Sequence, residues 1–281
     1  GVDGIKNLPP MQRFNLVDFL NKRHLKASPT RRVWIPKPGK DEKRPLGIPT
    51  IYDRALQALV KIGMEPEWEA RFEPNSYGFR PGRSAHDAIE NIYNVIHLSP
   101  KYVLDADISK CFDRINHDAL LRKIGKTPYR RLIKQWLKSG VFDNKQFSDT
   151  VEGTPQGGII SPLLANIALH GMEERLMEFA QTLDLKNSRG FQKSKQMKCK
   201  TLNLIRYADD FVILHKDIKV VLQAKTIIQE WLNQVGLELK PEKTRIAHTL
   251  KEHEGNKPGF NFLGFTVRQW EVKSTRLGFK T

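Results

Sequence analysis

The sequence predicts an α+β fold, and three observations predict it. Residues 204–214 carry two apolar, β-branched-rich runs around a short polar centre, the pattern of a tight β-hairpin. Residues 102–108 read as a strand whose alternation puts Val103, Asp105 and Asp107 on one face and Tyr102, Leu104, Ala106 and Ile108 on the other. Stretches with apolar residues at helical spacing surround both, most clearly at 220–235.

Taken in order, Phe14, Val17, Asp18, Phe19 and Leu20 predict a short helix, closed by Arg23, His24, Leu25 and Lys26, whose basic side chains suit a helix C-terminus. Residues 31–49 hold two extended runs around a Pro/Gly/charged turn, a hairpin that its prolines place at an edge or in a flap. It carries Arg31, Arg32, Lys37, Lys40, Lys43 and Arg44, a cation set suited to phosphates. Asp53 is expected to cap a helix with apolar Leu56, Leu59, Val60, Ile62 and Met64, interrupted at Pro66. Ser84 and Asp87 form a capping box for a helix through Ile96.

Helical patterns follow at 119–124 and 129–138. The loop 153–162, with Gly157 and Gly158, opens a helix expected to run from 163 to 176. Residues 186–206 hold seven basic residues and no acid, and read as a surface insertion. The helix 220–235 ends at Gly236. A short strand, a turn and a second strand span 237–246, and 260–267 is an aromatic hairpin strand. His248 and His253 read as a solvated pair.

Composition bounds the partners. Lys and Arg number 47 against 31 Asp and Glu, a net charge of +16 that favours polyanions, nucleic acid first. No run approaches the roughly 20 apolar residues of a spanning helix, which argues against a membrane partner. Cys111 and Cys199 form no metal-spaced pair. Two acids at a hairpin tip can meet a strand acid if the strands are neighbours. Three such carboxylates could hold two Mg²⁺ ions about 3.5–4 Å apart, the geometry of in-line phosphoryl transfer.

Seven segments in order then resemble the successive motifs of a reverse transcriptase. They are Arg44-Pro45-Leu46-Gly47-Ile48-Pro49; Ser76-Tyr77-Gly78-Phe79-Arg80-Pro81-Gly82-Arg83-Ser84; Asp107-Ile108 with Phe112-Asp113; Thr154-Pro155-Gln156-Gly157-Gly158; Tyr207-Ala208-Asp209-Asp210; Lys243 within Pro-Glu-Lys-Thr; and Phe262-Leu263-Gly264-Phe265. Their wording resembles the group II intron-encoded branch, the intron maturases. The resemblance implies the fingers and palm of a right-hand polymerase, with an antiparallel palm sheet packed on helices.

It also implies residue roles. Asp107, Asp209 and Asp210 would be the metal triad, with the Ile108 carbonyl as a further ligand, Asp209 bridging two Mg²⁺ ions and Asp210 more peripheral. Asp105 competes on the same face; Phe112, five residues after Asp107, favours Asp107 because the family places a ring there under the sugar. Gln156 would contact the incoming nucleotide, and Lys37, Arg44 and Arg80 would hold its triphosphate. Lys243 would protonate pyrophosphate, and Phe262, Leu263, Gly264 and Phe265 would form the primer grip.

The implied domains are an N-terminal extension and fingers over 1–104 and a palm over 105–281, with 153–176 returning to their junction. A thumb or maturase domain is expected beyond the chain. The implied partners are intron RNA or an RNA template, a DNA primer and dNTPs, in bacterial cytoplasm or an organelle. The oligomeric state is left open. Two other readings are an RNA-binding splicing cofactor with an idle polymerase site, and a related bacterial reverse transcriptase from a retron, a diversity-generating element or a CRISPR fusion.

Overall fold

The computed structural model describes residues 1–21, 25–36, 39, 41–144, 146–271 and 279–280. In chain order the strands are β1 (Thr30–Pro36), β2 (Lys43–Ile48), β3 (Tyr102–Asp107), β4 (Val141–Asp143), β5 (Gln146–Ser148), β6 (Asn203–Tyr207), β7 (Asp210–His215), β8 (Arg245–His248), β9 (Phe260–Phe262), β10 (Phe265–Val267), β11 (Trp270–Glu271) and β12 (Phe279–Lys280). The helices are α1 (Pro10–Leu20), α2 (Ile51–Arg71), α3 (Ala85–Ile96), α4 (Cys111–Arg114), α5 (His117–Ile124), α6 (Arg130–Leu137), α7 (Ser161–Leu169), α8 (Met172–Thr182), α9 (Lys195–Cys199) and α10 (Ile218–Asn233). Two compact units result: Gly1–Arg71 with Lys110–Ala168, and Phe72–Ser109 with Leu169–Thr281. In the second unit β3 bonds to β7 on one edge and to β8 on the other.

In the first unit β1 and β2 form the expected antiparallel hairpin, within a sheet ordered β2-β1-β4-β5. Two expectations for α2 need correction. Asp53 is not the cap: Thr50 Oγ1 accepts the Asp53 N–H at 3.1 Å. The buried Asp53 carboxylate instead accepts from Ser28 N, Thr50 Oγ1 and Trp136 Nε1 at 3.2, 2.8 and 2.9 Å. Nor does Pro66 interrupt the helix, which runs on to Arg71. Met64 and Trp68 are buried on either side of it, and Lys61–Glu65 and Glu67–Arg71 pair across its exposed face. Burial of large side chains at roughly 1.5–3 kcal/mol each outweighs the cost of one proline. Of the apolar positions of α2, Leu59 and Ile62 are exposed.

The second unit is built on an antiparallel sheet ordered β6-β7-β3-β8. One face carries Val103, Ile205, Val212 and Leu214, packed with Ala88, Ile92 and Ile96 of α3 and with Phe260, Phe262 and Val267. The α3 capping box forms as expected. The opposite face carries Leu104, Phe211 and Ile213, all buried, and α10 lies against β3 and β7. Covering both faces explains why β3 and β7 are buried almost throughout.

Three further expectations are corrected here. The single helix over 163–176 is two, α7 and α8, with Gly171 at φ 98° between them. Glu73 Oε1 accepts the Gly171 and Glu173 N–H groups, each at 2.9 Å, and so caps α8 from a distant part of the chain. The basic stretch 186–206 is not all surface: Leu204, Ile205 and Arg206 belong to β6 and are buried. His248 and His253 are half-buried rather than fully solvated; their rings meet Tyr102 edge-on, at 4.7 and 5.2 Å between centroids.

Glu173 is 4% exposed and accepts a hydrogen bond from Asn75 at 2.6 Å. Burial first, and then the nearby Glu73 charge, push its carboxyl up to about 7. Folding therefore favours the protonated acid, and the stability it contributes is lost as pH rises from the ordinary carboxylate range through 7. Glu173→Gln keeps an acceptor for Asn75 without the charge. Urea unfolding should show this variant more stable than wild type at pH 8, and little different at pH 5.

Candidate active site

The second unit brings the sequence-singled acids to one end of one sheet face. β6 and β7 pair with Tyr207 opposite Asp210, leaving Ala208 and Asp209 as a two-residue hairpin turn. Ala208 takes φ 57° there, the left-handed conformation such turns need and that alanine rarely adopts. β7 then pairs with β3 so that Asp107 stands directly opposite Asp210 and Asp105 opposite Val212. On the other edge of β3, Asp105 stands opposite Arg245 of β8. Asp105, Asp107 and Asp210 thus share a face, as the alternation of β3 predicts.

The two strand acids have different partners. Arg245 Nε donates to Asp105 at 2.9 Å, an ion pair that accounts for Asp105 structurally. Lys243 Nζ donates to Asp107 Oδ2, and this contact, with the neighbouring acids, raises the lysine's affinity for its proton. Asp107 is 8% exposed. Asp210 is pushed up to about 6, first by burial and then by the charges of Asp107 and Asp209. Backbone bonds fix the frame: Ile108 N donates to Asp209 O at 3.2 Å, Ser109 N to Glu238 O at 2.9 Å and Lys240 N to Asp107 O at 2.8 Å.

Among the described residues no three His, Cys, Asp or Glu side chains are gathered so that they could hold a metal ion as they stand. The donor chemistry nevertheless fits a hard divalent cation. Asp107, Asp209 and Asp210 offer carboxylate oxygens, and their mutual repulsion is what a cation would relieve.

The first unit holds a second group of singled-out residues. Thr154 N donates to Phe112 O at 2.6 Å, Gly153 N to Ile115 O at 2.8 Å, and Gly47 N to Gln156 O at 2.6 Å. Gln156 Nε2 reaches both Asp113 carboxylate oxygens at 3.3 Å. Gly157, at φ 113°, lies so close to β2 that a Cβ there would meet Gly47 O at 2.8 Å. Arg44 is exposed on β2, while Lys37 lies outside the described residues. Arg80, expected on a triphosphate, is buried. Its Nη1 donates to the Glu73 and Ser76 carbonyls at 2.9 and 2.8 Å, bracing a loop of the second unit. Of the four aromatic-hairpin residues, Phe262 is core, and Leu263 and Gly264 form a turn at φ 52° and 84°. Phe265 is 38% exposed.

Residues 35–267 match the family model for reverse transcriptase (RNA-dependent DNA polymerase). The chain belongs to the reverse transcriptase family. Within it the sequence is of the group II intron type. It is 34% identical over 291 residues to the group II intron-encoded protein LtrA of Lactococcus lactis subsp. cremoris, covering 85% of this chain and 47% of LtrA. It is 34% identical over 295 residues to protein YkfC of Escherichia coli, covering 94% of this chain and 74% of YkfC. The chain therefore spans about half the length of LtrA. The putative COX1/OXI3 intron 2 protein of Saccharomyces cerevisiae is 28% identical, over 92% of this chain.

Among solved structures, apo telomerase from Candida tropicalis superposes with a TM-score of 0.62 at 13% identity, covering 94% of this chain and 49% of that one. Candida albicans telomerase gives 0.60 at 15%, covering 87% and 44%. The shared fold is that of polymerase fingers and palm. Among the described residues no helix is long and apolar enough to cross a membrane.

Reading the sequence alone missed three residues around the acids. Arg245 was not assigned to Asp105, although opposite charges across a strand pair are a recognisable signal once register is known. Arg206 was grouped with a basic surface, although it interrupts an apolar strand. Gly78 was one glycine among several in a loop. It lies against the acidic turn: an added Cβ would fall 2.3 Å from Ala208 N and 2.9 Å from Tyr207 C, both backbone atoms that cannot swing away. Gly78→Ala should therefore cost about 1–3 kcal/mol by urea unfolding. It should cost more than Gly82→Ala, where nothing lies within 4 Å of an added Cβ and only the strain of φ 67° opposes alanine.

Proposed function

We propose that this chain carries the polymerase site of a group II intron-encoded RNA-directed DNA polymerase, extending a DNA primer along an RNA template. One observation carries the reading: Asp107 and Asp210 oppose each other across β3 and β7, with Asp209 in the adjoining turn and Lys243 on Asp107. The second unit serves as palm, and the first carries the fingers. Asp107, Asp209, Asp210 and the Ile108 carbonyl would hold two Mg²⁺ ions. When bound, such ions lower the pKa of the attacking primer hydroxyl and hold the leaving pyrophosphate.

The chain's own groups supply the rest. Lys243, kept protonated by the acids around it, donates a proton to the departing pyrophosphate oxygen. Phe112 bars a 2′-hydroxyl, and Gln156, held by Asp113 and Gly47, sits against the incoming nucleotide. Lys37 and Arg44 bind the triphosphate; Arg80 is left out because its guanidinium is committed to the Glu73–Ser76 loop. Leu263, Gly264 and Phe265 carry the primer grip. The net charge of +16 supports a further role, binding the intron RNA to assist splicing and retrohoming in a bacterial cytoplasm or an organelle.

Primer extension on an RNA template with Mg²⁺, using the intact protein, tests the reading. Asp107→Asn, Asp209→Asn and Asp210→Asn should each lower the rate by at least about 100-fold. Asp105→Asn should cost only a few fold, because its partner is Arg245. Wild-type extension no faster than that of Asp209→Asn would leave only the RNA-binding role.

A sugar-selection test is independent of these. Phe112→Ala should incorporate ribonucleotides that wild type rejects, measured as the ratio of kcat/KM for dNTP and rNTP. An unchanged ratio removes Phe112 from the gate.

A further inference from the structure

Arg206 is 1% exposed and among the largest fully buried side chains. It sits in β6, on the face opposite Asp107 and Asp210, one residue before the Tyr207–Asp210 pair that closes the hairpin. A buried charge is costly unless it is well bonded, and an apolar side chain would fill the same space at lower cost. A guanidinium in the middle of an apolar strand therefore calls for a reason beyond packing.

The guanidinium's bonds give that reason. Nη1 donates to the Ala208 carbonyl at 3.1 Å, and Nη2 donates to Ser76 Oγ at 2.7 Å. Behind it stand the Glu73 and Glu173 carboxylates, on both of which its charge acts. Glu73 is itself fixed by the N-terminus of α8. The backbone of Arg206 is tied as well: its N–H donates to Asn75 O, and its carbonyl accepts from Tyr77 N, each at 2.9 Å. Ala208 immediately precedes Asp209 and holds a left-handed conformation, at φ 57°, that an L-residue adopts only with strain. Such strain persists only where the surroundings over-determine it.

We propose that Arg206 is a positioning residue for the acidic turn, clamping the Ala208 carbonyl to Ser76 so that Asp209 and Asp210 keep one orientation toward the cations they bind. The inference rests on the polymerase reading for what those cations do. Its chemistry explains the choice of side chain. A planar fork can satisfy two acceptors at a fixed angle, whereas a lysine ammonium in the same place acts as a single point charge. The clamp acts through main-chain carbonyl and turn geometry and touches no substrate.

The test uses the intact protein with Ser76→Ala and Arg206→Lys. Ser76→Ala removes one acceptor of a buried charge, so it should lower the urea midpoint yet leave a folded protein that binds template–primer within about twofold of wild type by fluorescence anisotropy. Its kcat should fall, and its half-saturating Mg²⁺ concentration should rise, by about 10- to 100-fold, as for other groups that orient metal ligands. Arg206→Lys should shift both in the same direction. Excess Mg²⁺ should restore part of the rate, which it could not do for a misfolded protein. Unchanged kcat and Mg²⁺ dependence, with only a lower urea midpoint, would overturn the proposal. Mn²⁺ binding followed by electron paramagnetic resonance separates the two readings. If wild type does not extend primers, the polymerase reading fails, but weaker Mn²⁺ binding in both variants still supports the clamp, and unchanged Mn²⁺ binding overturns it.

Discussion

Two carboxylates standing directly opposite each other on neighbouring strands are the constraint around which the second unit is arranged. Asp107 and Asp210 occupy a register pair, a position where like charges repel at short range. A fold that only needed stability would put complementary or apolar residues there. Instead the sheet holds the repulsion in place. β3 is hydrogen-bonded on both edges, its end is tied to Asp209 on one side and to Glu238 and Lys240 on the other, and both faces of the sheet are covered. A slip of either strand by one residue would turn its acids into the face that α10 covers. Register, paid for by core packing, keeps the acids together.

Charge around the pair is graded rather than uniform. Lys243 contacts Asp107, and Arg245 takes Asp105 out of competition by pairing with it. Asp210 is pushed up by burial and by the charges of Asp107 and Asp209. The distinction between Asp105 and Asp107, two residues on one face of one strand, is made by what β8 and the turn before it place beside each. Burial alone does not make it.

Much of this was legible in the sequence, and the failures have physical causes. The 204–214 hairpin and the β3 alternation were readable because a two-residue turn between β-branched runs and a period of two are local signals. The α3 capping box was readable for the same reason. Asp53 and Pro66 were misread because their fates depend on distant partners, Trp136 Nε1 in one case and the burial of Met64 and Trp68 in the other. The break between α7 and α8 is set by Glu73, about a hundred residues earlier in the chain, so no local pattern announces it. In the candidate site the acids were found from spacing and from family resemblance. Arg206, Gly78 and Arg245 were not, because their roles exist only once β6, β8 and the 75–78 segment lie side by side. Arg80 failed in the opposite sense: an arginine in a turn-rich loop looks free until its loop folds around it.

The central position of β3 also has a consequence for how the molecule comes into being. Its hydrogen-bonding neighbours lie far downstream, and Asp107 and Asp105 wait for partners 136 and 140 residues later. Such loops are closed late, since the entropic cost grows with their length and local contacts form sooner. While the chain is being made, β3 leaves the ribosome with both edges bare; β7 can cover one edge once it emerges, and the other stays bare until β8 has been synthesised. The carboxylates of Asp107 and Asp210 can therefore meet only after β7 has emerged, and Lys243 and Arg245 reach the strand acids later still.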